Sequence, residues 1–180
     1  QMCIRDRMKL SRNWLAKVVA NIYIEFIRGT PLLVQAFIVF FGTQILGLDL
    51  SAFVAGAIAM AINSGAYVAE IIRGGINSVP VGQTEAARSL GLHQSQAMRY
   101  VILPQAMKNI WPALGNEFVT DIKESSVLSV IGATELMFEG TVVQGASFKP
   151  FLPLVVVAIL YFIMTFTLSR LLRLIEKRFN

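Results

Sequence analysis

The chain has 180 residues, 55% hydrophobic and only 15% charged, with 16 Lys and Arg against 11 Asp and Glu and a sequence pI of about 9.7. Soluble domains carry about 25% charged residues, so this composition and a mean hydropathy of +0.62 indicate one membrane domain with no room for a second, soluble one. One cysteine (Cys3) and one histidine (His93) exclude an internal disulfide and argue against metal chemistry, and no basic stripe interleaved with aromatics is laid out for nucleic acid.

Residues 1–7, QMCIRDR, fit no pattern that follows and have no apolar run of the kind a signal peptide needs. They read as a non-native leader, with Met8 opening a domain at 8–180. From Lys9 to Ile27, Trp14, Val18, Ile22 and Phe26 recur at helical spacing while Arg12 and Lys17 fall on other faces, as in an amphipathic helix lying at a membrane interface. Gly29-Thr30-Pro31 then reads as the start of a new helix. Apolar stretches at about 30–48, 50–72 and 150–169 match the ~20 residues needed to cross a bilayer, and the second is rich in the Ala and Gly that permit close helix packing. A fourth, more polar span is expected at about 106–122, followed by a short broken element, SSVLSVIG, at 125–132.

Lys and Arg placement orients these spans. Lys9, Arg12, Lys17 and Arg28, then Arg73, Arg88 and Arg99, then Arg170, Arg173, Lys177 and Arg178 form three basic groups. Asp49, Glu135 and Glu139 alternate with them, which places both ends and the 73–104 loop in the cytoplasm. In that loop Pro80 suits a first helical turn, Thr84 to Leu90 contains good helix formers, and Gly91 stands where a left-handed stop is needed. A second short helix is expected from about His93 to Leu103, ended or kinked at Pro104. Ala86 and Ala87 carry little bulk, so another backbone could approach them. The product is a polar, bent knob, best explained as a docking element.

The spacing in EAARSLGLHQSQAMRYVILP (85–104) resembles the EAA loop of the permease subunits of bacterial ABC importers, with Val101 where the family usually has Ile. YIEFIRGTPLLVQ at 23–35, AYVAEIIRGGINSVP at 66–80 and IKESSVLSVIG at 122–132 are similar to the polar amino-acid uptake branch. The resemblance covers the chain from about Lys9 onward. It implies an all-α membrane protein of the type I importer kind, with about four transmembrane helices and a cytoplasmic coupling loop at about 73–104. Relatives usually have five spans, so a first helix is expected to be missing here by truncation.

The resemblance further implies a multi-pass subunit of the bacterial cytoplasmic (inner) membrane with no catalysis of its own. ATP and Mg would be bound by an ATP-binding subunit dimer, in keeping with the lack of a GxxxxGK[ST] motif in this chain. An extracytoplasmic solute-binding protein, a second permease chain (a copy or a sister subunit) and membrane lipid are the other implied partners. Glu85, Ala86, Ala87, Gly91 and Pro104 would couple to the ATP-binding subunit.

Substrate candidates are Asp121 and Glu124, one helical turn apart, with Ser125 and Ser126 at the break and Asn63 and Tyr67 on the second span. Relatives commonly carry an acid at the place of Glu124 and an apolar residue at that of Asp121, so the extra acid leans toward a basic amino acid. Glutamine, glutamate or an opine is the alternative cargo, and a non-transport assembly protein the alternative role. Asn63 and Tyr67 can equally serve interhelical hydrogen bonding, with Glu70 on the same face paired to Arg73.

Overall fold

The computed structural model describes residues 14–176, and its regular elements are all helical. The leader, Met8, Lys9, Arg12, Lys177 and Arg178 lie outside the described residues. Helix α1 (Trp14–Arg28) stops at Gly29, where the Thr30 hydroxyl donates to Phe26 O at 3.0 Å and covers a carbonyl left open at the helix end. Pro31 cannot donate a hydrogen bond and sits just outside α2 (Leu32–Ile45), so the chain turns sharply there. The two axes differ by 108°.

Within the stretch at 30–48 the regular helix is Leu32–Ile45. Fourteen residues rise about 21 Å, short of the ~30 Å hydrocarbon core. Only together with 17–28 does it reach span length and composition.

Helix α3 (Ala52–Asn77) begins at Ser51, whose side chain accepts from Val54 N at 3.4 Å, and runs further than the expected end at 72. Arg73-Gly74-Gly75 stays helical because Gly75 lies flush against Ile110, where a β-carbon would collide. Buried Ala55, Gly56, Ala59, Asn63 and Ala66 recur every three or four residues, giving α3 a small-residue stripe against which neighbours pack closely.

Helix α4 (Val81–Ser89) and the single turn α5 (Gln94–Ala97) form the knob. Gly91 has φ +86°, with Gly91 N donating to Arg88 O and Leu92 N to Ala87 O, the paired bonds of a Schellman closure. Pro104 does not end the second knob helix. The chain passes through a π-helical turn at Met98–Ile102 and continues as α6 (Leu103–Glu124), with Leu103 N donating to Met98 O. Widening the turn lets the helix run past a residue with no N–H and a bulky ring.

A 3-10 helix at Ser125–Ile131 follows, closed by Gly132 at φ +85°. Helix α7 (Leu136–Ser147) has no counterpart in the sequence reading, and α8 (Leu152–Glu176) continues past the expected end at 169. By length and composition α3 and α8 each suffice to cross a bilayer. The bent pairs 17–28 with 32–45, and 94–131 with 136–147, bring the possible crossings to four.

Two apolar clusters hold the fold. Val79, Ile102, Ala106 and Ile110 pack at the base of the knob, and Ala36, Ala59, Leu128, Ile131 and Ala133 pack at the far end of α3.

Candidate functional site

The site is organised by the antiparallel pair α3 and α6. Ser64 faces Asp121 and Gly75 faces Ile110, and the pairing extends past both helices, with Gly56 against Leu128 of the 3-10 helix and Ser78, just beyond α3, against Asn109. At the knob end polar side chains lash the parts together. Asn109 Nδ2 donates to Ser78 Oγ at 2.8 Å, Ser78 Oγ donates to Gly75 O at 2.7 Å, and Gln105 Nε2 donates to Val101 O at 2.8 Å.

Glu85 and Ala86 are exposed on the knob, as are Leu90 (84% accessible) and Tyr100. Ala87 is buried, so it does not offer the close approach expected of it; its small side chain serves the knob's own packing. Pro104 is exposed at the foot of α6. No ion pair forms between Glu85 and Arg88 among the described residues.

Asp121 accepts a hydrogen bond from Ser64 Oγ at 2.8 Å, which fixes its carboxylate against α3. Glu117, Asp121 and Glu124 fall on one face of α6, and Glu117 lies within electrostatic range of both acids and of Arg28. None of the described residues makes an ion pair with Asp121 or Glu124, and the neighbouring Lys123 is exposed. Ser125 and Ser126 turn back on their own helix, donating to Ile122 O at 2.8 Å and Lys123 O at 2.6 Å. Their hydroxyl protons cap the last carbonyls of α6.

Asn63 is buried, and its Nδ2 donates to Gln35 Oε1 at 3.0 Å. Gln35 Nε2 in turn donates to Ile27 O at 2.7 Å, Thr30 O at 3.1 Å and Thr30 Oγ1 at 2.9 Å. This neutral network stitches the α1–α2 corner to α3 and gives Asn63 the interhelical hydrogen bond expected as one of its two roles. Tyr67 is half-buried, with the Arg28 guanidinium 5.3 Å from its ring centroid. Glu70 pairs with Arg73 at 2.6 Å and also with Arg28 at 3.1 Å. An exposed pair of this kind contributes up to ~1 kcal/mol.

Sequence reasoning passed over Glu117, although its place one turn before Asp121 was legible. It also passed over the Arg28–Glu70 pair, which only the fold brings together. Glu135 was read as a loop charge; it caps α7 through Met137 N and Phe138 N and accepts from Tyr161 Oη at 2.7 Å, tying α8 to α7. A groove of ≈ 420 Å³ between α6 and α8 is lined by Trp111, Gly115, Phe118, Leu172 and Arg173, on a face of α6 away from the acids.

A helical membrane domain with a rigid external knob, joined by one rod to a carboxylate-bearing face, has the construction of a transporter's permease subunit. The chain belongs to the family described as binding-protein-dependent transport system inner membrane component, which matches residues 7–180. It is 41% identical over 167 residues to the glutamine transport system permease protein GlnP of Escherichia coli K12, covering 92% of this chain and 76% of that relative. It is 39% identical over 161 residues to the arginine transport system permease protein ArtQ of Bacillus subtilis, covering 89% and 74%. A chain in a crystal structure of an amino acid ABC transporter with histidines superposes with TM-score 0.89 at 53% identity, covering 95% of this chain and 80% of that one. The protein is thus an amino-acid ABC importer permease by family and fold, a transport component with apolar membrane helices.

Proposed function

We propose that this subunit carries a basic amino acid across the bacterial inner membrane, driven by ATP hydrolysis on a separate partner. The observation that carries this reading is the unbroken rod from α5 through the π turn into α6. At one end of that rod stands the knob, with Glu85 unpaired to Arg88 and Leu90 exposed, a surface suited to a partner's groove. At the other end stand Asp121 and Glu124, two carboxylates without a cationic partner among the described residues. An acid at membrane depth is costly unless it faces a cavity or a cation, and a lysine or arginine side chain supplies that cation. The acidic face is open in a single chain, which fits completion by a second permease subunit. An ATP-binding dimer on the cytoplasmic side and an extracytoplasmic solute-binding protein complete the machine.

A neutral amide such as glutamine is the second reading, and one contact favours it. Asp121 already accepts from Ser64, so its carboxylate can be structural. The test uses the full complex in liposomes with its solute-binding protein, measuring ATP hydrolysis with arginine, lysine, histidine or glutamine. Stimulation by the basic set alone supports the first reading; stimulation by glutamine alone transfers the case to the second. Glu85→Lys should release the ATP-binding partner on co-purification, and retention would remove Glu85 from the docking surface.

A further inference from the structure

The segment 23–35 clasps α3 between Ile62 and Glu70, and the contacts are of two different kinds. At the α1–α2 corner the Gln35–Asn63 network is buried and neutral, and Gln35 ties Asn63 to the backbone on both sides of Arg28. Moving it apart would strand polar atoms away from water, so it stays made. Along α1 the contacts are exposed and replaceable. Tyr23 Oη donates to Ile62 O at 2.6 Å in an exposed position. Arg28 Nη1 reaches Glu70 Oε2 at 3.1 Å, and Arg73 Nη2, from the same helix as Glu70, reaches the same oxygen at 2.6 Å.

Two arginines on one carboxylate oxygen make the Arg28 contact dispensable to Glu70. The Glu70 side chain is 18% accessible and would resist losing its only cation, but Arg73 travels with it on α3. The Arg28 side chain is 42% accessible, so a released guanidinium has water to enter. Glu70 also lies about two turns before the end of α3, which leads through Pro80 directly into the knob. Displacement of the knob therefore reaches this contact early.

We propose that Arg28 is a releasable latch between the fixed Gln35–Asn63 corner and the knob end of α3: its side chain lies on Glu70 and Tyr67 in one state and is free in another, with Arg73 keeping Glu70 neutralised throughout. Arg28 is a positioning residue in this scheme and Arg73 the element that keeps the latch easy to open. The inference rests on the reading that the knob transmits a partner's motion.

The test compares Arg28→Gln with Arg73→Gln in the full complex, reading substrate-free ATP hydrolysis and amino acid taken up per ATP. Arg28→Gln should raise substrate-free hydrolysis roughly fivefold, the equilibrium factor of one exposed ion pair, and lower uptake per ATP. Arg73→Gln leaves Arg28 as the one cation on Glu70, so hydrolysis should slow while uptake per ATP holds. Opposite signs support the latch. Changes in the same direction, or none in either variant, overturn it and make the cluster static packing. If Arg28→Gln does not assemble, Arg28→Lys, which keeps the charge but cannot lie flat on Tyr67, is used with the same expected sign. A wild-type complex whose hydrolysis no substrate stimulates would overturn the coupling reading itself, a result distinct from any variant effect.

Discussion

The two ends of α6 are built on opposite principles. At the knob end, Ile102 is 2% accessible, Ile110 fills the space beside Gly75, and the Ser78, Asn109 and Gln105 side chains all find partners. At the acid end, Glu117, Asp121 and Glu124 share a face with one neutral donor, Ser64, and no ion pair to the outer two among the described residues. One end is closed and satisfied; the other is open and charged. On the proposed reading, the packed end receives a partner's motion and the acidic end meets the cargo, which would divide stability from function along one rod. Variants at the first end should therefore cost folding, and variants at the second should cost activity.

The largest stability effect is expected from Gly75→Val, whose added atoms meet Ile110. Overpacking of this kind costs about 1–3 kcal/mol. The amount of assembled protein in membranes should fall, and combining the change with Ile110→Ala should recover much of it. If the single variant accumulates normally, the knob end is softer than its packing indicates.

Gly91→Val comes next, since φ +86° costs a branched residue about 1–2 kcal/mol. The strain is local to the knob, so the chain should still insert while capture of the ATP-binding partner drops. A variant that captures its partner normally would separate the bend from docking. Ser64→Ala is the smallest in stability, at about 1 kcal/mol for one hydrogen bond. Its thermal midpoint should barely move while the apparent substrate affinity changes, and the reverse pattern would make the acid end structural after all.

Periodicity in the sequence located α1, α3 and α8 because their apolar faces are dictated by burial or lipid. Turn chemistry located Gly91 for a similar reason: a positive φ without a β-carbon is a local requirement. Three features escaped. Pro104 marked an expected helix end or kink; the helix runs on through a π turn at 98–102, and nothing local announces such widening. Helix α7 starts at Glu135, outside the usual Ser, Thr, Asp and Asn caps, and carries Gly140 and Gly145, both poor helix formers. Gly140 is there because α8 approaches closely, and a β-carbon would strike Val157. The third is Arg28 on Glu70. Both residues were visible and their neighbours suggestive, but a contact between helices is a property of the fold.

Among the candidate site residues, Asp121 and Glu124 were proposed from the cost of charge at membrane depth, which is a sequence-level rule. Ser125 and Ser126 were chosen for the helix break and Asn63 for its place on the second span, and in the fold their donors have partners within the chain. Small polar groups find backbone partners readily; carboxylates in a helix cannot, because they need a donor or a cation from outside it.

The most direct test of the acid end is Asp121→Asn, which keeps an oxygen for Ser64 and removes only the charge. Uptake of labelled arginine and of labelled glutamine would be followed in liposomes bearing the full complex. Loss of arginine uptake with glutamine uptake unchanged or increased is the predicted result. Equal uptake of arginine by both forms would contradict the account and leave Asp121 as a support for Ser64.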